Sequence, residues 1–321
     1  MKPECSIIIR AFNEEKHIGK LLDGIQQQSL KNIQVILVDS GSQDRTVEIA
    51  RNYGVEIVSI EPKEFTFGRS LNLGISHAKA DFVVLASAHV YPVYPDWLER
   101  MLEPFQDEKI AITYGKQRGM ETTQFSEHRI FEHWFPDSSV NNQAHPFCNN
   151  ANAAIRKSLW QVNAYNETLT GLEDLAWAKW AHEQGYKIAY VAEAEIIHVH
   201  NESWRGIANR YRREGMAFKM IYPQERFGIL DLFKAFFSNV ANDWRVARKE
   251  KKFTKVWGSV VGFRWNQFFG TYRGYQQSGP LTWKLKQTFY YPRNILEESV
   301  NQREVEPIAY QDAQGEEAKN E

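Results

Sequence analysis

Over its first hundred residues the chain alternates short β-branched runs with helical patterns. Ser6 to Ile9 reads as a buried strand, and Glu14 to Gln27 follows with Ile18, Leu21, Leu22 and Ile25 at helical spacing. Ile33 to Val38, Glu56 to Ile60 and Phe82 to Ala86 read as further strands, with helices over Arg45 to Tyr53 and Arg69 to Ala78 between them. Strict alternation of this kind predicts an α/β fold whose parallel sheet is covered by helices on both faces. Ile110 to Gly115 is another strand, followed by an irregular polar and aromatic stretch to Asn152. Ala153 to Ile155 predicts a short strand, Lys157 to Gln161 a helix, and Glu173 to Gln184 a helix closed by Gly185. Lys187 to Val191 and Glu195 to His198 follow as two strands. From Trp204 the pattern is helical. Past Glu297 charges, Gln and Asn dominate, which predicts a disordered tail over 297–321. The division expected is therefore 1–204, 205–296 and the tail.

In such sheets a ligand sits beyond the carboxyl ends of the strands. The segments that matter are then Arg10 to Glu14, Asp39 to Ser42 and Ser87 to His89. Composition narrows the field little: 43% hydrophobic and 25% charged residues are ordinary for a globular protein. A formal net charge of −1 gives no global attraction to nucleic acid. The two cysteines, Cys5 and Cys148, lack metal-ligand spacing and read as reduced thiols of a cytoplasmic protein. Neither a secretory leader nor an apolar run of about 18 residues is expected from the sequence.

Four segments in register with the predicted strands resemble glycosyltransferase family 2. They are Ser6–Glu15, Val38–Thr46, Gly171-Leu172-Glu173-Asp174 and His198-Val199-His200, with Phe67 to Gly74 resembling the family's loop before its metal-site strand. The resemblance spans about residues 5 to 204 and, more finely, is to bacterial rhamnosyltransferase-type members. It implies a GT-A-type, mostly parallel sheet followed by a helical region. It also implies transfer of a sugar from a nucleotide-diphosphate donor to a saccharide or lipid-linked acceptor, with inversion, in surface polysaccharide synthesis. Nucleotide contacts would come from Ala11, Asn13, Glu14, Asp39, Ser42, Arg69 and Ser87. Asp174 would be the general base and Glu173 its neighbour orienting the acceptor.

Each of these residues also has a plainer reading. Asp39 or Ser40 can cap the next helix, Asn13 can cap the first, and a carboxylate in the opening turn of a helix is favoured by the dipole whatever its task. That dipole is expected to lower the Asp174 pKa, to be offset by burial. Asn149, Asn150 and Asn152 suit hydroxyl recognition by an acceptor, or else a tight turn.

The family's Asp-x-Asp motif is replaced here by Ser87-Ala88-His89. Imidazole suits manganese or zinc far better than magnesium, so His89, His198 and His200 are candidate metal ligands, with manganese the expected ion. Action without metal, with His89 and a cation such as Arg69 or Arg210 facing the leaving group, stays open. So does a nucleotide-binding or membrane-associated protein without turnover. A nucleotidyltransferase is set aside, because no Gly-rich phosphate loop is present. In the last third, aromatic faces alternate with Arg245, Arg248, Lys249, Lys251, Lys252 and Lys255. Such helices suit the inner face of a membrane, or else a packed bundle against the catalytic region or a second subunit.

Overall fold

The computed structural model describes residues 2–277 together with 285 and 290. The expected tail and the last part of the expected helical region lie outside the described residues.

Strands β1 (Cys5–Ala11), β2 (Ile33–Asp39), β3 (Glu56–Ser59) and β4 (Phe82–Ser87) alternate with α1 (Ile18–Gln26), α2 (Thr46–Asn52) and α3 (Phe67–His77). β5 (Val90–Pro92), α4 (Trp97–Leu102), β6 (Ile110–Arg118), α5 (Phe125–Trp134), β7 (Asn152–Arg156) and α6 (Lys157–Val162) follow. α7 (Glu173–Glu183) and β8 (Lys187–His198) complete the sheet region, and α8 (Trp204–Ile221), α9 (Ile229–Lys249) and α10 (Phe253–Tyr275) follow it. All eight strands form one sheet in the order β3-β2-β1-β4-β7-β6-β8-β5. β1 through β4 pair in parallel, as do β6 and β8. The alternation does not persist to the end: β7 runs antiparallel to both β4 and β6, and β5 antiparallel to β8.

Side chains alternate across the sheet as strand geometry demands. In β1, Ile8 packs with Ile36, Leu71 and Ile75 on one face, while Ile7 and Ile9 pack with Leu21, Leu22 and Trp97 on the other. Two cores therefore flank the sheet, and its central strands β1, β2 and β4 are mostly apolar for that reason. Strand order reverses around β1, with β2 on one side and β4 on the other. At such a switch point adjacent loops diverge and leave a crevice.

Two expectations changed on folding. The two strands expected over 187–198 join as one, yet pairing with β6 slips from Gly115–Val191 to Gln117–Ile196. The expected break survives as this slip. Gly115 permits it: a Cβ there would lie 2.1 Å from the Ala194 carbonyl oxygen. The stretch expected to be irregular after Gly115 continues β6 to Arg118 and contains α5. Helix α5 is mostly polar, so it has no clear apolar face in sequence; its buried residues include Ser126 and Glu127 as well as Phe131.

Among the described residues, α8, α9 and α10 pack on one another and, through α5, on the sheet region. α8 and α10 approach nearly backbone to backbone, and a Cβ on Gly270 or Gly274 would meet the carbonyl of Ala208 or Arg212 at 2.5 or 2.3 Å. Ser126 Oγ of α5 donates to Asp243 of α9, which also takes two bonds from Arg264 of α10 at 2.8 and 3.1 Å. This buried knot ties the helices to the sheet region. Among the described residues no helix is long and apolar enough to cross a membrane.

Candidate functional site

The loops at the carboxyl rim of β1 and β4, the start of α7, the end of β8 and the first half of α8 enclose a cleft of about 880 Å³. Asn13, Glu14, Ser87, His89, Asn149, Asn150, Glu173, Asp174, His198 and His200 all line it. Residues from Asn13 to His200 thus meet at one rim because their elements begin or end there.

The first side of the cleft is a pair of braced loops. Asn13 sits at φ 55°, a conformation asparagine tolerates. The backbone N–H groups of Asn13, Glu14 and Glu15 donate to the side chains of Ser42, Thr46 and Asp44. Asn13 returns the bond, its Oδ1 accepting from the Gln43 N–H at 2.8 Å. These contacts delay the first helix to Ile18, four residues after its expected start. Asp39 accepts from the backbone N–H groups of Gly41 and Ser42. Its plainer reading as a cap for the next helix is not realised, since Arg45 stands at that helix's N-cap and Asp39 closes a turn instead. Asp39, Ser42 and Ala11 stand behind the lining and shape it.

Three imidazoles form the second side. His198 Nδ1 faces Gln117 Oε1 at 2.8 Å, His200 Nδ1 faces Glu127 at 2.6 Å, and His89 Nδ1 faces Glu14 at 2.7 Å. Each partner accepts hydrogen, so each Nδ1 carries the proton and each Nε2 presents a lone pair. The Nε2 atoms of His198 and His200 lie 3.2 Å apart. Two bare lone pairs at that distance repel, so the pair calls for a cation or a shared proton. Burial, followed by the neighbouring His200 and His89, pushes the His198 pKa well down, which favours the neutral, ligating form. One ligand atom from each of the three histidines lies within 4.8 Å of the others. Held Nδ1 atoms and converging Nε2 atoms are the usual support for a histidine metal site. The residues present therefore fit a divalent ion of borderline softness.

The third side is the opening of α7. Leu172, its N-cap, has φ 54° and ψ 28°. A branched side chain in that region costs about 1–3 kcal/mol, and the turn it makes aims Glu173 and Asp174 at the cleft. Glu173 is buried and ion-paired with Arg10 at 3.1 Å. Asp174 accepts from the N–H groups of Asn150 at 3.1 Å and Leu175 at 2.8 Å. It keeps contact with the cleft, but desolvation by the surrounding protein, reinforced by the Glu173 charge, raises its pKa to about 7. The expected lowering by the helix end is outweighed, because burial acts on the whole charge and the dipole on a fraction of one. Phe67 lies between two cations, 4.8 Å from Arg10 and 4.6 Å from Arg213. Arg213 Nε is buried without a hydrogen-bond partner.

Several expected contacts lie elsewhere. Asn152 bonds the Lys116 and Ala194 carbonyls and accepts from the Trp97 indole, all within the core, so it braces the bulge and cannot meet an acceptor. Arg69 is half exposed, pairs with Glu64 at 3.6 Å and does not line the cleft. Arg210, the other candidate cation, is occupied by Glu127 and Glu202 at 2.6 and 2.7 Å. Arg10, Gln117, Glu127 and Arg213 were not anticipated. Arg10 had one signal, a charge ending an apolar strand; Glu127 had none, since its meaning comes from His200 and Arg210, 73 and 83 residues away. Burial alone would raise the Glu127 pKa, but the hydrogen bond from His200 and the Arg210 charge outweigh it and hold the value at about 2.

Residues 6–162 match the model of glycosyl transferase family 2. The chain is 28% identical over 225 residues to an O-antigen chain rhamnosyltransferase of Salmonella typhimurium, covering 66% of this chain and 72% of that one. In fold it is similar to a mannosyltransferase from Pyrobaculum calidifontis in complex with GDP-Man and Mn2+, with a TM-score of 0.61 and 15% identity over 87% of this chain and 89% of that one. A second similar structure is glucosyl-3-phosphoglycerate synthase from Mycobacterium tuberculosis with Mn2+, UDP and glucosyl-3-phosphoglycerate. There the TM-score is 0.52 and the identity 18%, covering 70% and 82% of the two chains. At these identities the structural likenesses speak for the fold.

Proposed function

The chain belongs to glycosyltransferase family 2, and from that premise we propose that Asp174 is the base which lets its main cleft pass a sugar from a nucleotide diphosphate to an acceptor hydroxyl, with inversion. The observation that carries this reading is the desolvated Asp174 carboxylate facing the same cleft as three converging imidazoles. A weak base near neutrality, half shielded from water, suits proton removal from an alcohol.

In this reading residues 1–204 form the catalytic unit and the helices after them form one wall of the site. The nucleotide lies against the braced loops, with Asn13, Glu14 and Ser87 toward it and Asp39 and Ser42 holding the loops in shape. Asn149 and Asn150 flank the acceptor side of Asp174. The acceptor oxygen attacks the anomeric carbon while the bond to the diphosphate breaks, and the bonding pair leaves with the phosphate oxygen. Asp174 takes the hydroxyl proton. Glu173 holds Arg10 in place, and Arg10 and Arg213 offset the charge that grows on the leaving group.

His89, His198 and His200 would hold a divalent ion, manganese in preference to magnesium, which when bound supplies further positive charge to the diphosphate. Gln117, Glu127 and Glu14 fix the three tautomers for that purpose. A binding protein without turnover would leave the tuned Asp174 without a task.

The test is release of nucleoside diphosphate from a panel of nucleotide sugars by the full chain, with manganese, magnesium or chelator. The Asp174→Asn protein is expected to lose about 10²–10⁴-fold in turnover while still binding nucleotide. Full turnover in that protein would overturn the assignment of the base.

The donor and acceptor meet, in this reading, at a membrane surface. α9 and α10 expose Leu230, Phe237 and Trp257 at 81%, 63% and 56%. Ring contacts join Phe233, Phe237, Phe236, Trp265 and Phe269 into one patch. Between Phe227 and Gln277 nine Lys and Arg stand against three Asp and Glu, in a chain of net charge −1. We infer that this face rests on an anionic bilayer.

A further inference from the structure

A second cavity, of about 530 Å³, lies between α5, α9 and α10 on the far side of Asp174. Asn149, Asp174, His198 and His200 line both cavities, so the two meet at the candidate base. We propose that this second cavity is the acceptor subsite and that it takes an uncharged glycosyl unit, the terminal sugar of the acceptor. The proposal rests on the transferase reading above and adds where the acceptor binds and what it must be.

Three observations carry it. The first is position: with the donor against the braced loops, the attacking hydroxyl must reach Asp174 from another direction, and the second cavity provides one. The second is a set of donors without partners. Gln117 is 1% exposed and gives its Oε1 to His198, yet its Nε2 has no hydrogen-bond partner; Arg129 Nε and Arg210 Nε are also buried and unpartnered. A buried N–H left unpaired is costly, and sugar hydroxyls are acceptors of the right kind. The third is an aromatic wall. Trp134 stacks on Phe147 with ring centroids 4.2 Å apart and remains 39% exposed where it lines the cavity. Aromatic rings of this kind offer a large apolar surface to the C–H face of a sugar.

Charge decides the class of sugar. The cations around the cavity are already paired: Arg210 with Glu127, Arg264 with Asp243, Arg129 with Glu132. None is left over for a uronate or a phosphate, and Asp174 and Glu214 would repel either. A neutral hexose or deoxyhexose meets no such penalty. The C-terminal helices thereby set acceptor choice, since α9 and α10 supply one wall and the Ser126–Asp243–Arg264 knot fixes it against α5.

The experiment is saturation-transfer NMR on the full chain, with methyl glycosides of glucose, rhamnose and glucuronic acid as probes. Binding of a panel of nucleoside diphosphates is measured in parallel by calorimetry. The neutral glycosides are expected to bind and the glucuronoside not. Trp134→Ala should weaken the neutral glycosides at least about fivefold, the scale of one aromatic contact, and leave nucleotide affinity within about twofold. Trp134→Phe should restore most of the loss, which also answers for any folding defect in the alanine protein. Equal binding of the glucuronoside, or neutral-glycoside binding indifferent to Trp134→Ala, would overturn the proposal while leaving the transferase reading standing. So would nucleotide binding without binding of any glycoside. Absence of nucleotide binding in the wild-type protein would instead count against the transferase reading itself.

Discussion

Asp174 is subject to opposing influences: two backbone N–H groups and a helix end favour its charge, while burial and Glu173 oppose it. Because the outcome is a pKa near 7, the acid limb of the pH–rate profile should fall close to neutrality rather than near the ordinary carboxylate value of about 4. The same shift has a sign for stability. The folded pKa lies above the unfolded one, so the contribution is full below about pH 4 and is lost as pH rises through about 7. Asp174→Asn should therefore melt at a higher temperature than wild type near pH 8 and show little difference near pH 3; calorimetric scans at the two pH values check this. Glu127 acts through other residues. If it positions His200, Glu127→Gln should weaken manganese binding about 10–100-fold in calorimetry, with nucleotide affinity in chelator unchanged. Equal metal affinity in the two proteins would remove Glu127 from that role.

At the scale of elements, what the sequence announced and what it hid divide by the kind of contact that stabilises each. β1, β2, β4, α1 and α3 bury apolar side chains at period two or near 3.6, and those periods are visible in the letters. α5 was not visible. Its buried face holds Ser126 and Glu127, whose partners are Asp243, His200 and Arg210, all distant in sequence. The antiparallel β7 was visible as a strand over Ala153–Ile155 but not in its direction, since direction depends on which neighbours it finds. Breaking the knot that joins α5, α9 and α10 should be costly, because it leaves a buried charge unpaired. Asp243→Ala strands the Arg264 charge in the interior and is expected to cost about 3–5 kcal/mol in denaturant unfolding. Glu48→Ala, which opens the exposed pair with Arg45, should leave the midpoint unchanged.

On the scale of the whole molecule, the exposed aromatic face and the excess of positive charge fall on the same pair of helices. The full chain should sediment with phosphatidylglycerol vesicles and not with phosphatidylcholine ones. Binding should weaken as salt rises, because exposed charges are screened. Leu230→Ser combined with Phe237→Ser should abolish it without changing donor turnover in solution. A lipid-free dimer in ultracentrifugation, dissociated by those two substitutions, would assign the face to a second copy of the chain instead.

From the sequence alone came the α/β alternation, the carboxyl-rim segments, the family resemblance and the helical pattern that begins at Trp204. These are local: they follow from side-chain period and from short motifs read along the chain. Tertiary structure alone decided that Asn152 braces a bulge, that Arg69 faces Glu64, that Asp39 holds a turn, and that Arg10 and Arg213 line the cleft while Glu127 stands behind His200. It also decided the protonation preference of Asp174 and the tautomers of three histidines. Electrostatics and hydrogen bonding act through space over a few ångströms, so their outcome depends on which distant residues the fold brings within reach.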